Sequence, residues 1–353
     1  MFSVVQNALI FIALWGLGSK FISFGAGAAL YSAAMILTAC LAAIGTHVVY
    51  YAIADALEKK EFDSFSKRIT TNWKKVQRGV PVITGLILAV SFQTATPLYV
   101  VAAAAIVAEL VGKLMWGGFA KNKLNPAAVG FILIGIIFGY YITMPPLYDA
   151  ASAATPLSIV AQNGWHFTAD RQASFAAYFG SLGSLLVGSF SGPLAEISRL
   201  ASLIALVYMA KKKALDWLVP AFMIGTVFFI TFFVGLYHGF GWAYPLFHVL
   251  NGGLIFGAVF MATDPITIPK NKSGRVIIAI LMGALTLVIR FRSQLYPEGV
   301  MISILVMNMF TGYIHEKTAS LSKAPAKKQW LVYGIVFGLS LIAVFLLALG
   351  LPY

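Results

Sequence analysis

The chain has 353 residues, 60% of them hydrophobic and 10% charged, with a mean hydropathy of +0.86. That balance leaves too little polar surface to cover a soluble fold, and the long unbroken apolar runs exclude a β-barrel, so the chain reads as an all-α polytopic membrane protein. Its formal charge of +13 does not call for nucleic acid, because 20 of the 25 Lys and Arg fall in five stretches: 58–79, 113–124, 211–213, 270–275 and 315–328.

In chain order, the sequence predicts helices over 4–19, 25–56, 80–95, 97–115, 126–143, 194–210, 217–236, 247–263, 275–291, 297–314 and 329–349. The first apolar run has no basic segment before it and does not read as a cleavable signal. Helix 2 carries Cys40, the one cysteine, which excludes an internal disulfide and an iron–sulfur cluster held by this chain alone; a small buried hydrophobe is its expected role. Helix 2 enters the basic stretch EKKEFDSFSKRITTNWKKVQRG, read as a loop, and helix 4 enters GGFAKNKLN. Helices 6, 8 and 10 end at KKK, PKNKSGR and HEKTASLSKAPAKKQ. Every basic stretch then lies on one side, and the positive-inside rule puts the N-terminus in the cytoplasm and the C-terminus outside.

Helices 3 and 8 echo one another. VITGLILAVSFQTATP (82–97) and LNGGLIFGAVFMATDP (250–265) align without gaps, with Gly85/Gly253, Leu86/Leu254, Ile87/Ile255, Phe92/Phe260 and Pro97/Pro265 identical. Each is followed by an apolar helix and then by a proline opening the next, Asn125-Pro126 and Tyr296-Pro297. Five helices separate the equivalents, an odd number, so the two copies run in opposite directions. The expected architecture is ten to eleven transmembrane helices built as an inverted five-helix repeat with broken helices 3 and 8, a pattern that marks transporter-like binding sites. The expected boundaries are a membrane domain over 1–315, with repeat 1 over 1–143, an outer loop over 144–193 and repeat 2 over 194–315. Residues 316–353 add a cytoplasmic linker and one further helix.

The 144–193 loop is longer than a bundle needs. Its part YFGSLGSLLVGSFSGPLAEIS is Gly- and Ser-rich and suits backbone packed against the membrane domain. It also carries Asp149-Ala150-Ala151-Ser152-Ala153-Ala154-Thr155, followed by Pro156.

Six stretches, VITGLILAV, GKLMWGGFAKNKLNPAAVG, DAASAATPL, GPLAEISRLASL, FHVLNGGLIFGAVFMATDPIT and IRFRSQLYPEGVMISILVMNMF, together resemble the RnfD/NqrB family. These are the large membrane subunits of the Rnf complex and of the sodium-pumping NADH:quinone oxidoreductase. The stretches occur in the family's order over roughly 75–315, and the MATDP and YPEGV pair is the most specific of them. The resemblance implies FMN joined through its phosphate to the Thr of a D-x-x-[ST]-G-A-T motif on the outer face. That position is Thr155 here, with Asp149 and Ser152 matching and Ala153 in place of the motif glycine. A phosphoester needs a hydroxyl, and a transferase working outside needs that hydroxyl accessible. The other reading of Thr155 is a helix cap or turn. The resemblance further implies a second, riboflavin-type flavin, coupled Na⁺ or H⁺ movement, an outer-face FMN protein and other Rnf/Nqr-like subunits as partners, a flavin transferase for maturation, and a cytoplasmic (inner) membrane location.

Other candidates carry two readings each. Glu109 and Lys113 are spaced i, i+4, as a snorkelling salt bridge or as an intramembrane functional carboxylate. Asp264 and Asn125 either cap turns beside the helix breaks or line an ion or quinone path. Glu196 caps a first turn or serves the flavin. Arg290 and Glu298 hold the FMN phosphate and brace the loop, or pair with each other, and His248 reads as a satisfied interfacial histidine. No His, Asp and Glu cluster has zinc spacing and no Gly-rich loop follows a strand, so neither a metal nor soluble NADH is expected on this chain. The function this implies is a membrane subunit that relays electrons through FMN. Its rivals are a redox-free channel for a small solute built on the broken helices and a flavin-less scaffold.

Overall fold

The computed structural model describes residues 1–58, 64–94, 96–143, 155–165, 167, 181–188, 192–293 and 298–350. The first half comprises α1 (Phe2–Leu57), α2 (Phe65–Gly79), α3 (Pro81–Ser91), α4 (Leu98–Leu110) and α5 (Pro126–Thr143). Among the described residues three short helices follow, α6 (Pro156–Gln162), α7 (Leu182–Val187) and α8 (Leu194–Ile197). The second half holds α9 (Arg199–Lys211), α10 (Leu218–His238), α11 (Ala243–Leu250), α12 (Leu254–Phe256, continued by a π turn over Gly257–Met261), α13 (Lys272–Arg292), α14 (Val300–Met309), α15 (Thr311–Thr318) and α16 (Ala326–Ala348). No strand occurs among the described residues.

At 1.5 Å per residue the 56 residues of α1 would extend about 84 Å, far beyond a hydrocarbon core of about 30 Å. Gly25, at φ 84 and ψ 180, breaks it in a conformation that only glycine adopts freely. The two halves fold back on each other. The Phe2 ring meets Phe119 at 5.2 Å and His47 meets Glu109 at one end. Ser19 and Tyr31 reach instead to Gly188 O and Thr96 O. This matches the helix pair predicted from the sequence.

Among the described residues five helices are long and apolar enough to span a bilayer: α1, Leu98–Trp116, α10, α13 and α16. The bent pair α11 and α12, at 61°, makes a sixth, and Pro81–Ser91, Pro126–Gly139 and Val300–Met309 are shorter apolar helices. Against the ten to eleven expected spans, five helices among the described residues, or six with the bent pair, meet the length and composition of a span, and the break between α11 and α12 is one reason that others fall short of it. α3 stops at Ser91 rather than 95, and the chain runs through Phe92–Pro97 before α4. The helix expected over 194–210 is cut at Ser198 (φ −105, ψ 35), and that over 297–314 at Phe310 (φ −95, ψ 0).

The basic stretches gather at one end. Lys113 Nζ donates to Gly79 O at 3.0 Å, Lys113, Ala214 and Asp264 line one cavity, and Asn271 Nδ2 donates to His315 O at 2.8 Å. α3 starts at this basic end, whereas α12 starts away from it and breaks towards it at Thr263-Asp264-Pro265, so the two echoes run in opposite directions. One expectation is corrected here: 65–79 is a helix, not a loop. Phe65, Ile69 and Trp73 recur every four residues on one face of it, and Asn72 and Lys75 grip the buried Asp55 at 2.6 and 3.3 Å.

Towards the lipid, α16 presents Leu331, Ile335, Leu339, Ile342 and Leu346, all more than half exposed. Its other face packs on α10 and α13, with Tyr333 Oη donating to Ser273 Oγ at 2.8 Å. Cys40 is half-buried, where α1 crosses α3.

Candidate functional site

The break between α11 and α12 leaves the last carbonyls of one helix and the first N–H groups of the next without helical partners. Asn251 is extended (φ −112, ψ 153) and Gly252 is left-handed (φ 68). Arg290, from the last turn of α13, donates Nη1 to His248 O at 2.6 Å and Nη2 to Asn251 O at 2.9 Å. Glu298, just before α14, accepts the Gly253 N–H at 2.8 Å. A cation thus sits on a helix C-terminus and an anion on a helix N-terminus, each complementing the local dipole. A Cβ at Gly252 would strike the Glu298 carboxylate. Gly252→Ala is therefore expected to cost about 1–2 kcal/mol from its left-handed backbone alone, with the collision added, read as earlier thermal unfolding of the purified chain.

Two more charges complete the cluster. Arg199 donates Nη1 to Leu185 O at 2.6 Å and approaches Asn251 Oδ1 with Nη2 at 3.5 Å. Glu196, in α8, is fully enclosed with Glu298, Arg199 and Arg290 as its charged neighbours. Two carboxylates and two guanidiniums cancel formally. Glu196 lies in the first turn of α8, the place expected of it, although Pro193 is the N-cap and Glu196 Oε2 makes no hydrogen bond among the described residues.

Glu196 and Glu298 head a cavity of about 290 Å³ whose walls come from both halves of the chain. Phe131 and Gly135 of α5 form one side, and Phe256, Met261 and Val300 the other. The volume lies near the lower bound for small-molecule sites, which suits one fused-ring system with an apolar body and polar edge. A buried carboxylate oxygen with no partner among the described residues and an apolar slot suit the isoalloxazine of a flavin, while Arg199 and Arg290 stand behind the carboxylates and are not part of the cavity wall.

Thr155 is the N-cap of α6, fixed by Pro156 at the first helical position. Its Oγ1 accepts the Ser158 N–H at 3.3 Å, and the residue is only 9% exposed. The expected open hydroxyl is thus a capping one, while Asp149, Ser152 and Ala153 lie outside the described residues. The segment after α6 packs away from the basic end. Trp165 stacks on His248 at 5.3 Å and meets Phe291 edge-on at 5.6 Å, and Phe167 packs on Tyr244 and Phe247. His248 is not the satisfied interfacial histidine expected. It is fully buried in this aromatic cage, and neither ring nitrogen is hydrogen-bonded among the described residues.

Glu109, Asn125 and Asp264 come together at the basic end. Glu109 Oε2 meets His47 Nε2 at 2.7 Å and Lys113 Nζ at 2.9 Å, and Lys113 spends its other N–H groups on Gly79 O and on Thr84 Oγ1 at 3.1 Å. The pair does not snorkel, because all three residues are buried and the ammonium is satisfied inside. Removing either partner leaves a buried charge, so Glu109→Gln and Lys113→Met are each expected to cost about 3–5 kcal/mol. The double variant should lose clearly less than their sum, and additive losses in thermal unfolding would contradict the pairing.

Lys113 also borders a cavity of about 90 Å³ lined by Asp264, Asn125, Asn122 and Thr263. Asp264 caps the turn after α12, accepting from Ile266 N at 3.1 Å and from Thr267 Oγ1 at 3.3 Å. Asn125 accepts from Ala128 N at 3.2 Å, and its backbone N–H donates to Asn308 Oδ1 at 3.0 Å, tying α5 to α14. The π turn Gly257–Met261 stands between the cavities, with Val259 and Phe260 on this one and Met261 on the other. Sequence reasoning passed over His47, Arg199, Asn251 and Asn308. His47 and Arg199 had a signal, since each is an ionisable residue inside a predicted span.

The family model for the NQR2, RnfD, RnfE family matches residues 2–323. One relative, from the proton-translocating ferredoxin:NAD(+) oxidoreductase complex of Clostridium ljungdahlii, is 32% identical over 283 residues, 78% of this chain and 83% of that one. Another, from the Na(+)-translocating ferredoxin:NAD(+) oxidoreductase complex of Acetobacterium woodii, is 28% identical over 325 residues, 90% and 88% of the two chains. A third, from the Na(+)-translocating NADH-quinone reductase of Chromohalobacter salexigens, is 29% identical over 242 residues, 66% of this chain and 56% of that one. Each of the three is a single subunit of its complex.

Proposed function

The chain belongs to the NQR2, RnfD, RnfE family, and from that premise we propose that it is a membrane subunit of an ion-translocating, flavin-based electron-transfer complex. FMN would be joined by a phosphoester to Thr155, and Glu196 and Glu298, with the apolar cavity they head, would hold its ring system. The basic end faces the cytoplasm and Thr155 the outside of the inner membrane, in accord with the positive-inside rule. The partners are an outer-face FMN protein and the other subunits of an Rnf- or Nqr-like complex, with a flavin transferase for maturation and riboflavin as a second cofactor. The observation that carries this reading is the buried Glu196, Arg199, Arg290 and Glu298 cluster over an apolar cavity, in a chain whose relatives are subunits of ion-translocating ferredoxin:NAD(+) oxidoreductase complexes.

When bound, the flavin supplies one- and two-electron redox chemistry; the chain supplies attachment, orientation and field. Arg199 and Arg290 balance negative charge arriving in a site without bulk water. Glu196 and Glu298, sharing those cations, hold or release a proton as that charge changes. Asp264 and Asn125, which line the cavity at the basic end, would supply oxygen atoms along the path of the translocated Na⁺ or H⁺. Co-expression with an active flavin transferase tests the reading: a flavin fluorescence band that survives denaturing electrophoresis is expected. Its absence would return the chain to the flavin-less scaffold or channel.

A further inference from the structure

We propose that an anionic phospholipid binds between the Lys213, Lys270 and Arg275 pocket and the groove along the first half of α10. This reading is independent of the flavin and rests on the membrane placement of the chain.

The polar part is a pocket of about 540 Å³ at the basic end, with Lys213, Lys270 and Arg275 around it and one carboxylate, Asp216. Arg275 Nε stands 3.1 Å from Asp216 Oδ2 without a well-aligned hydrogen bond, and Asp216 Oδ1 also accepts the Leu218 N–H. Asp216 therefore offsets one of the three cations, while Lys213 and Lys270 are exposed and form no salt bridge among the described residues. Lys213 is left-handed (φ 52), in the turn that ends α9.

The apolar part is a lipid-facing groove of about 360 Å³ that shares Trp217 with the polar pocket. Trp217, Pro220, Ile224, Gly225 and Phe228 follow one face of α10 for about 16 Å at the helical rise, enough for most of an acyl chain. Leu206 and Val249 form the facing wall. A Cβ built at Gly225 meets nothing within 4 Å, so the groove is open at its middle. Trp217 is 58% exposed at the junction of the charged and apolar parts, where an amphipathic ring favours the headgroup level. Cations at the membrane surface, an aromatic at the boundary and an apolar trough below match a phospholipid with a negative headgroup. A soluble anion would leave the trough unused, and a neutral lipid would leave the cations unused.

The test compares the full detergent-purified chain, by native mass spectrometry, with phosphatidylglycerol and phosphatidylcholine of identical acyl chains. Wild type is expected to retain one phosphatidylglycerol in preference to phosphatidylcholine. Lys213→Gln with Lys270→Gln should weaken that retention about 30-fold, from roughly fivefold per lysine near a charged surface. Gly225→Phe fills the trough and should weaken retention with both lysines intact. Unchanged circular dichroism and lipid-free melting identify both variants as folded. Equal retention of the two lipids in wild type would overturn the proposal, as would unchanged retention in either variant. Displacement of the lipid by millimolar inorganic phosphate, with no effect of Gly225→Phe, would assign the pocket to a soluble anion instead.

Discussion

Replacing Thr155 by valine is expected to abolish covalent flavin while leaving the membrane fold intact. Valine keeps the shape of threonine and removes the one atom a phosphoester needs. The hydroxyl also caps α6 through the Ser158 N–H, so the variant loses about 1 kcal/mol of local helix stability. That helix is seven residues long and buries Leu157, Val160 and Ala161, which packing holds in place without the cap. Ser158→Ala serves as the control, because it removes the neighbouring hydroxyl and keeps Thr155. With an active flavin transferase co-expressed, the in-gel flavin band should be present in wild type and in Ser158→Ala and absent in Thr155→Val. A band that persists in Thr155→Val moves the attachment elsewhere. The 9% exposure of Thr155 adds a consequence: the proposed modification would have to precede the final packing of α6 or require its first turn to open.

The largest loss of stability is expected from Arg290→Met. The guanidinium holds two carbonyls at the α11–α12 break and balances Glu196 and Glu298. Its removal leaves a net negative charge in a buried site, worth about 3–5 kcal/mol, besides two orphaned carbonyls. Arg290→Lys should recover only part, because a single ammonium cannot reproduce the planar fork that spans both carbonyls. Adding Glu298→Gln to Arg290→Met restores formal neutrality and leaves an acceptor for the Gly253 N–H, so the double variant should melt above the single one. A double variant that melts lower would show that packing, rather than charge balance, makes Arg290 indispensable.

The broken helices were legible because a glycine pair, a short apolar run and a Thr-Asp-Pro end are local signals. Their identical residues, however, do different work. A Cβ at Gly85 would press on the backbone of Cys40 at 2.9 Å, so this glycine admits a close crossing with α1. Gly253 has open space beside it and instead offers its N–H to Glu298. Sequence identity showed the echo and could not show this difference, since neither neighbour is near in sequence. The amphipathic α2 was missed for another reason: seven basic residues over 58–79 dominate its composition and mask the spacing of Phe65, Ile69 and Trp73.

Composition and the period of the apolar runs by themselves determined an all-α membrane chain. Loop charge determined which segments share an end, because charged loops cannot lie in hydrocarbon wherever the helices sit. Motif residues named Thr155, Glu196, Arg290, Glu109, Asn125 and Asp264 one at a time. Only the tertiary structure decided their grouping: Glu196 and Arg290 joined Arg199 and Glu298 over one cavity, and Asp264 and Asn125 lined another beside Lys113, which holds Glu109. Those partners lie far apart in the chain, Glu196 and Glu298 by 102 residues and Lys113 and Asp264 by 151. A buried charge must find its counter-charge wherever the chain crossing brings one, so helix packing rather than local spacing chose the pairs.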